Sequence, residues 1–152
     1  MYSGTNQIIL NKLQTILNAS ARFALGVSVL HRRFHSSEDL LSELHFLPIK
    51  FRIQYKIALL SYKCHTGTAP SYLKNLVSHE DNSYSYYNLR QNNDILRFNV
   101  PRKPHYKKSE NAFYHSAPQV WNSLPFDIRD ANTLGDFKSR LKTYFFRCAF
   151  SL

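Results

Sequence analysis

Cysteine, glycine and carboxylate residues are all scarce in this sequence, and each shortage excludes a class of protein. The two cysteines, Cys64 and Cys148, belong to no paired motif, which excludes a disulfide scaffold and suits a reducing compartment. Four glycines are too few for the usual glycine-rich phosphate loop. No apolar run approaches the roughly 18 residues of a membrane-spanning helix, and the N-terminal MYSGTNQIILNK lacks the regions of a signal peptide. We therefore expect a nuclear or cytoplasmic chain, neither secreted nor in a membrane.

The few carboxylates are not arranged for metal-dependent catalysis. A polymerase holds two metal ions with paired carboxylates, and the sequence contains no adjacent Asp-Asp pair. The nearest substitutes are Glu38-Asp39, in the first turn of a predicted helix, and Glu80-Asp81, in a polar loop. We predict that the chain has no catalytic residues, needs no cofactor and is not an enzyme.

Histidine and cysteine positions do not favour a metal site. His31 and His35 are four residues apart, but the arginines between them disfavour a cation, and only Cys64 and His65 offer further ligand types. A solvated basic turn is the better interpretation of this segment. Cys64 and His65 point about 100° apart on a helix, so a buried thiol is favoured over a Cys-His nucleophile.

The spacing of apolar residues predicts helices over the first half of the chain. The first helix carries a stripe in steps of four and three residues, and Gly26 is its predicted stop. Ser36 or Ser37 is the predicted N-cap of a short second helix, and Pro48 lies in the first turn of a third. A further short helix follows Pro70. The stripe of the first helix consists of Ile9, Leu13, Ile16, Ser20, Phe23 and Val27.

The third predicted helix, from Pro48 to His65, is apolar on two sides. A helix of this kind must be covered on both, so we expect it to be central. Arg52, Lys56 and Lys63 fall between the two apolar faces and form a basic ridge. The faces consist of Ile49, Ile53, Ile57, Leu60 and Cys64 on one side, and Phe51, Tyr55, Ala58 and Tyr62 on the other.

The second half of the chain is predicted to hold a polar loop, a strand, a Trp-containing corner and a final helix. Alternation over residues 96–100 predicts a strand, and residues 89–91 are a weaker hairpin partner. In residues 112–129 we expect Pro118 to interrupt a helix, Trp121 to be a buried core anchor and Pro125 to form a second stop. The last helix starts near Thr133, with a buried stripe of Phe137, Leu141, Tyr144 and Cys148.

These elements predict a mainly α fold with a single domain over residues 1–152. We expect five to six helices and a small β-hairpin or strand element near residues 89–100. The helical core spans about residues 5–78, the polar loop and strand residues 79–108, and the Trp corner with the final helix residues 109–150.

The strong positive charge favours a polyanionic partner. Lys and Arg outnumber Asp and Glu by 20 to 10, which gives a net charge of +10. Cations that neutralise phosphates release counterions, and rings between them stack on the bases of a single strand. The alternatives are a solvated linker at residues 102–108 and an ordinary polar helix edge for the ridge. The predicted contact residues are Arg52, Lys56, Lys63, Arg102, Lys103, Tyr106, Lys107 and Lys108.

Three segments of the chain carry recognisable motifs: LQTILNASARFALG, then LHFLPIKFRIQYKIALLSYKCHTGTAPSYL, and finally VPR with the Trp corner and FKSRLKTYFF. Together they resemble the far C-terminal region of LINE-type non-LTR retrotransposon reverse transcriptases of the chicken-repeat and jockey-like clades. The family usually has Trp where Phe46 stands here. The resemblance implies a region downstream of the polymerase active site, so it assigns no catalytic residue.

Three functions are open at this point. The first is a non-catalytic C-terminal fragment of such a polyprotein that helps to bind template RNA or target DNA without sequence preference. The second is an interaction module that docks on the polymerase body. The third is a relic reading frame with no present function.

Overall fold

Seven helices make up most of the described chain. The structure is a computed structural model and describes residues 7–26, 36–77, 96–101 and 112–150. The predicted mainly α fold is confirmed, whereas the predicted count of five to six helices is wrong for these residues. The additional helix is α6, four residues directly after Pro125, whereas the short helix after Pro70 was predicted. The helices are α1 (Gln7–Ala24), α2 (Ser37–Glu43), α3 (Ile49–His65), α4 (Ser71–Lys74), α5 (Phe113–Asn122), α6 (Phe126–Arg129) and α7 (Leu134–Phe150).

The described residues fall into two units. The first, called the α1 unit, contains the described residues within Thr5–Tyr55 and Leu141–Leu152. The second, called the Trp unit, contains the described residues within Lys56–Arg140. The division falls inside α3 and inside α7. A single domain over residues 1–152 stays a prediction.

The α1 unit buries a face of α1 that the sequence pattern did not predict. Leu17 and Ala21 are buried, and they form a core cluster with Leu40 and Leu41 of α2. Ala21 is 0% exposed, because its small side chain lets α2 approach closely. The predicted stripe is offset from this buried face by about one residue position around the helix axis, and it lies on the exposed side of the helix. Its apolar members Ile9, Leu13, Ile16 and Phe23 are all exposed.

Capping groups fix the ends of α1, α2 and α3 in the α1 unit. Gly26 takes a left-handed φ of 65° at the predicted end of α1. The predicted N-cap Ser36 accepts a hydrogen bond at its Oγ from the backbone N–H of Glu38, at 3.1 Å. The backbone N–H of Ile49 donates to Oε1 of Gln14 at 2.9 Å, so a side chain of α1 caps the start of α3.

The C-terminal half of α7 packs in the α1 unit through Leu141 and Phe145. Both are buried, and the Phe145 ring lies 6.0 Å from the ring of Phe51. The predicted stripe of α7 was right at Phe137 and Leu141 and wrong beyond them, because Tyr144 is half-buried and Cys148 is exposed. The buried stripe continues in a second step of four residues to Phe145.

Trp121 of α5 lies at the centre of an aromatic cluster in the Trp unit. Its side chain is 0% exposed, which confirms the predicted core anchor. Ring centroids lie 5.4 Å away at Phe98, 5.9 Å at Phe137 and 6.4 Å at Tyr62. Tyr62 stacks on Phe137 at 4.3 Å, and its hydroxyl donates to the backbone oxygen of Ala131 at 2.9 Å. We call these four rings the Trp121 cluster.

The predicted strand near residues 89–100 is not supported. Residues 89–95 lie outside the described residues, and residues 96–101 form no strand. Phe98 forms an isolated β-bridge, and side chains of α5 also bind the backbone of this segment. Asn122 accepts from the N–H of Phe98 at 3.0 Å and donates to its carbonyl at 2.8 Å, while the indole N–H of Trp121 donates to the carbonyl of Leu96. The amide of Asn122 thus binds both backbone polar groups of Phe98.

Pro118 does not interrupt α5, contrary to the sequence prediction. The helix runs through it from Phe113 to Asn122. The carbonyl that loses its usual donor belongs to Tyr114, a residue that is 45% exposed, so solvent can hydrate it. Pro125 is the N-cap of α6, which agrees with the predicted second stop.

No helix among the described residues has both the length and the apolar character needed to cross a membrane.

Candidate nucleic-acid interface

Arg52 is the first residue of the predicted basic ridge, and contacts within the α1 unit fix its side chain. Its Nε donates to the backbone oxygen of Leu47 at 2.9 Å, and its guanidinium carbon lies 5.3 Å from the centroid of the Phe46 ring. The side chain remains exposed. These contacts restrict the motion of the guanidinium group while leaving its charge at the surface. Binding a phosphate there would therefore cost less side-chain entropy.

Lys56 and Lys63 share an edge of α3 with Arg52. At 100° per residue, the three positions fall within a sector of about 40°. Lys56 is exposed, whereas Lys63 is half-buried. A rise of about 1.5 Å per residue separates Arg52 from Lys56 by about 6 Å, and Lys56 from Lys63 by about 10 Å, along the helix axis. We call these three residues the α3 cationic edge.

The α3 cationic edge is not neutralised within its own helix. The sequence of α3, IKFRIQYKIALLSYKCH, contains no carboxylate. The apolar stems of Arg52 and the two lysines lie beside half-buried apolar residues, as long cationic side chains commonly do. The edge therefore presents positive charge over an apolar base, an arrangement suited to a polyanion.

Helix α7 adds exposed cations that the sequence-based assignment missed. Lys138, Lys142 and Arg147 are all exposed, and Asp136 is the single carboxylate of the helix. The first two are four residues apart and lie on one side of α7. The sequence pattern of α7 was interpreted only as a buried stripe. The signal that would have found these cations is their excess over acids in the segment KSRLKTYFFR.

Two arginines are held by contacts within the Trp unit and are poor candidates for phosphate binding. Arg129 is only 4% exposed, and its Nε donates to the backbone oxygen of Leu124 at 3.0 Å. Arg140 pairs with Asp136 at 2.8 Å and donates from Nη1 to the backbone oxygen of Asp127, also at 2.8 Å. The hydrogen bond that Arg140 donates to the Asp136 carboxylate raises the pKa of Arg140. Both side chains hold α6 and the start of α7 in place.

Among the described aromatic residues, Tyr72 is accessible to a base, whereas Trp121 is not. Trp121 is fully buried, so a base cannot reach its ring without unfolding the cluster. Tyr72 of α4 is 67% exposed and lies two residues before the exposed Lys74. The sequence predicted a short helix after Pro70 but did not single out Tyr72. Its exposure became visible only with the structure.

The other predicted contact residues cannot be placed. Arg102, Lys103, Tyr106, Lys107 and Lys108 lie outside the described residues, and so do His31 and His35. The involvement of these five predicted contact residues in nucleic-acid binding stays a prediction.

Cys64 is half-buried, and not fully buried as the sequence indicated. Burial raises its pKa, and the positive charge of Lys74 offsets that shift in part. A raised pKa lowers the fraction of reactive thiolate, which favours a structural over a nucleophilic role. Among the residues that the structure describes, no three His, Cys, Asp or Glu side chains are grouped to hold a metal ion.

Comparison with known proteins gives no relative, since no family model, no curated protein and no solved structure matches the chain. The resemblance to LINE-type reverse transcriptases therefore rests on the sequence motifs alone.

Proposed function

We propose that this chain is the non-catalytic C-terminal region of a LINE-type reverse transcriptase and that it helps to bind template RNA or target DNA. Binding is non-specific, because it depends on phosphates and not on base edges. The α3 cationic edge is the observation that carries the proposal. The resemblance in three segments supports the origin, and the exposed cations of α7 and the net charge of +10 support the activity.

The physical basis is the release of counterions from the nucleic acid. Each phosphate that a lysine or arginine neutralises frees condensed cations, and the affinity then falls as salt concentration rises. Arg52, Lys56 and Lys63 offer three positive charges within about 17 Å of helix. We therefore expect weak binding at physiological salt and strong binding at low salt.

The first experiment measures this salt dependence on the full chain. Fluorescence anisotropy of a labelled single-stranded RNA gives the affinity at several salt concentrations. The logarithm of the affinity should fall linearly with the logarithm of the salt concentration, by about 0.7 for each phosphate contact. Absence of binding at low salt, or an affinity independent of salt, contradicts the proposal.

The second experiment assigns the contacts to the α3 cationic edge. Lys56→Gln with Lys63→Gln removes two charges from this edge, and Lys12→Gln with Lys50→Gln removes two exposed charges elsewhere. Both variants have the same net charge. The first should lower the salt slope by about 1.4, and the second should leave the slope unchanged. Equal losses in the two variants would mean that the net charge alone, and not this edge, determines binding.

The proposed origin has a separate test in the genomic DNA. An in-frame sequence upstream of the codon for Met1 that encodes a reverse transcriptase would support it. An unrelated coding sequence at that place would contradict the origin without affecting the binding experiments.

A further inference from the structure

The outer face of α1 is an apolar surface with nothing over it in the described residues. Five large apolar side chains of this helix are exposed, and Phe23 reaches 90% exposure. Exposed apolar patches of this kind mark interaction sites in soluble proteins. The members of the face are Ile9, Leu13, Ile16, Ser20 and Phe23, and we call them the α1 outer face. Ile8, also exposed, points to another side of the helix.

The spacing of the α1 outer face specifies the kind of partner. Its members follow each other in steps of four, three, four and three residues, which is the a and d pattern of a coiled coil. A heptad repeat keeps one seam facing a second helix of similar pattern. The partner surface is therefore another helix with exposed apolar residues at the same spacing. In the described part of this chain, α1 itself carries such a surface.

We propose that the chain forms a homodimer in which the α1 outer faces of two copies pack against each other, antiparallel. The proposal does not depend on nucleic-acid binding. No member of the α1 outer face is charged, so the seam itself brings no like charges together. Of the two cations of α1, Arg22 is half-buried and donates to Oγ of Ser37 at 3.2 Å.

An antiparallel register matches large side chains with small ones. When Ile16 lies opposite the partner's Ser20, Leu13 lies opposite the partner's Phe23. The hydroxyl of Ser20 already donates to the backbone oxygen of Ile16 in its own helix at 3.0 Å, so burying it leaves its donor satisfied. In the same register Lys12 lies beside the partner's Ala24, the last residue of that α1. The negative end of a helix dipole favours a cation there.

A lipid surface fits α1 less well than a second copy does. An interfacial helix needs a cationic polar face beside its apolar one. One flank of the outer face is occupied by the core of its own unit, since Leu17 and Ala21 pack against α2. Lys12 is the only exposed cation of the helix. The chemistry therefore favours protein over lipid.

Sedimentation equilibrium of the full chain tests the dimer. Measurements run over a wide range of protein concentrations, with a reductant present because Cys148 is exposed. The expected result is a reversible monomer–dimer equilibrium that persists at salt concentrations that abolish RNA binding, because salt does not weaken apolar contacts. A monomer at all concentrations overturns the proposal.

Two variants with matched exposure locate the interface. Ile16 and Ile8 are both 62% exposed on α1, but only Ile16 belongs to the outer face. Ile16→Glu should abolish the dimer, and Ile8→Glu should retain it. Circular dichroism checks that both stay helical. Equal loss of dimer in two folded variants overturns the proposal, since it would indicate non-specific association.

A third variant gives a gain instead of a loss. Ser20→Leu adds apolar area to the α1 outer face in both copies and should tighten the dimer by at least about tenfold. This result decides the matter if Ile16→Glu fails to fold, and an unchanged or weaker dimer overturns the proposal. Flotation with phosphatidylcholine–phosphatidylserine vesicles covers the lipid case. Vesicle binding by a chain that stays monomeric also overturns it.

Discussion

The Trp121 cluster and the α1 outer face consist of the same class of residue and differ completely in burial. Trp121 and Phe137 are 0% exposed, and Phe98 and Tyr62 are nearly so. Phe23 and Ile16 of α1 are 90% and 62% exposed. Both regions lie in well-formed helical surroundings. Apolar composition and periodicity therefore predict the helix, but they do not predict which apolar face the protein covers.

The two regions differ in the polar groups that accompany the apolar ones. In the Trp121 cluster, the hydroxyl of Tyr62, the indole N–H of Trp121 and the amide of Asn122 all bind backbone groups. Such paired groups fix the orientation of each ring and allow full burial. The large members of the α1 outer face have no polar atoms beyond the backbone. The α1 outer face can therefore accept a partner, whereas the rings of the Trp121 cluster are buried and cannot.

The largest expected effect is the loss of Trp121. Trp121→Ala should lower the free energy of unfolding by about 3–5 kcal/mol, because it leaves a cavity among three other rings. Denaturation by urea measures this change. Phe126→Ala is the control in the same unit, since Phe126 is 51% exposed and should cost far less. Equal costs would remove the distinction between buried and exposed rings.

The second effect concerns the side chain of Asn122, which binds the backbone of Phe98. Asn122→Ala removes both hydrogen bonds to the backbone of Phe98 and should cost about 2 kcal/mol, at roughly 1 kcal/mol for each bond. Asn11→Ala on exposed α1 is the control and should change stability by less than about 0.5 kcal/mol. A neutral Asn122→Ala would show that residues 96–101 do not depend on α5.

The third effect is a dependence on alkaline pH at Tyr62. Burial, and then the charge of Asp136, raise the pKa of Tyr62 above its usual value of 10.0. A group with a raised pKa in the folded state keeps its contribution below the unfolded pKa and loses it as pH rises through the folded pKa. The protein should therefore lose stability above about pH 10. Urea denaturation at pH 8 and at pH 11 measures this loss.

Substitution of Tyr62 separates the hydrogen bond from the titration. Tyr62→Phe should cost about 1 kcal/mol at pH 8, because the bond to Ala131 is lost, and it should weaken the alkaline loss. Tyr72→Phe is the control, since Tyr72 is exposed and should leave both values unchanged. An alkaline loss of the same size in Tyr62→Phe would assign it to other tyrosines.

The smallest effect is expected on the α1 outer face. Ile9→Ser should change the stability of the monomer by no more than about 0.5 kcal/mol, because Ile9 is 52% exposed and lies outside the core of its unit. Urea denaturation at low protein concentration, where a dimer is dissociated, gives this value. A loss above about 1.5 kcal/mol would show that the face is covered within one copy.

The helix ends were the most predictable part of the fold. Gly26 has a φ of 65° at the end of α1, as its position in the sequence indicated. Ser36 and Thr133 each accept a hydrogen bond from a backbone N–H at the start of a helix. These predictions succeed because a cap depends on one residue and its immediate neighbours.

Features that depend on distant residues were not predictable. The backbone of residues 96–101 is bound by the side chains of Asn122 and Trp121, more than twenty positions away. The choice between Leu17 and Ile16 as the buried side of α1 was decided by the approach of α2 at Ala21. Pro118 lies inside α5, although proline usually interrupts a helix. Local spacing contains none of this information.

The candidate site was predictable to the extent that it lies on one helix. The residues of the α3 cationic edge were assigned from helical spacing alone, and the geometry of α3 keeps them together. The contacts of Arg52 with Leu47 and Phe46 were not visible in the spacing. The exposure of Tyr72 also had to come from the structure.

The central claim is that the Trp121 cluster is structural and that surface cations bind nucleic acid. The most direct test follows two signals while the full chain is mixed with a labelled single-stranded RNA. Trp121 is the only tryptophan, so its emission reports on the cluster alone. The account predicts that the anisotropy of the RNA rises at low salt while the emission of Trp121 stays unchanged. Quenching of the Trp121 emission that follows the rise in anisotropy would contradict the account, because a base of the RNA would then stack on a ring that the structure buries.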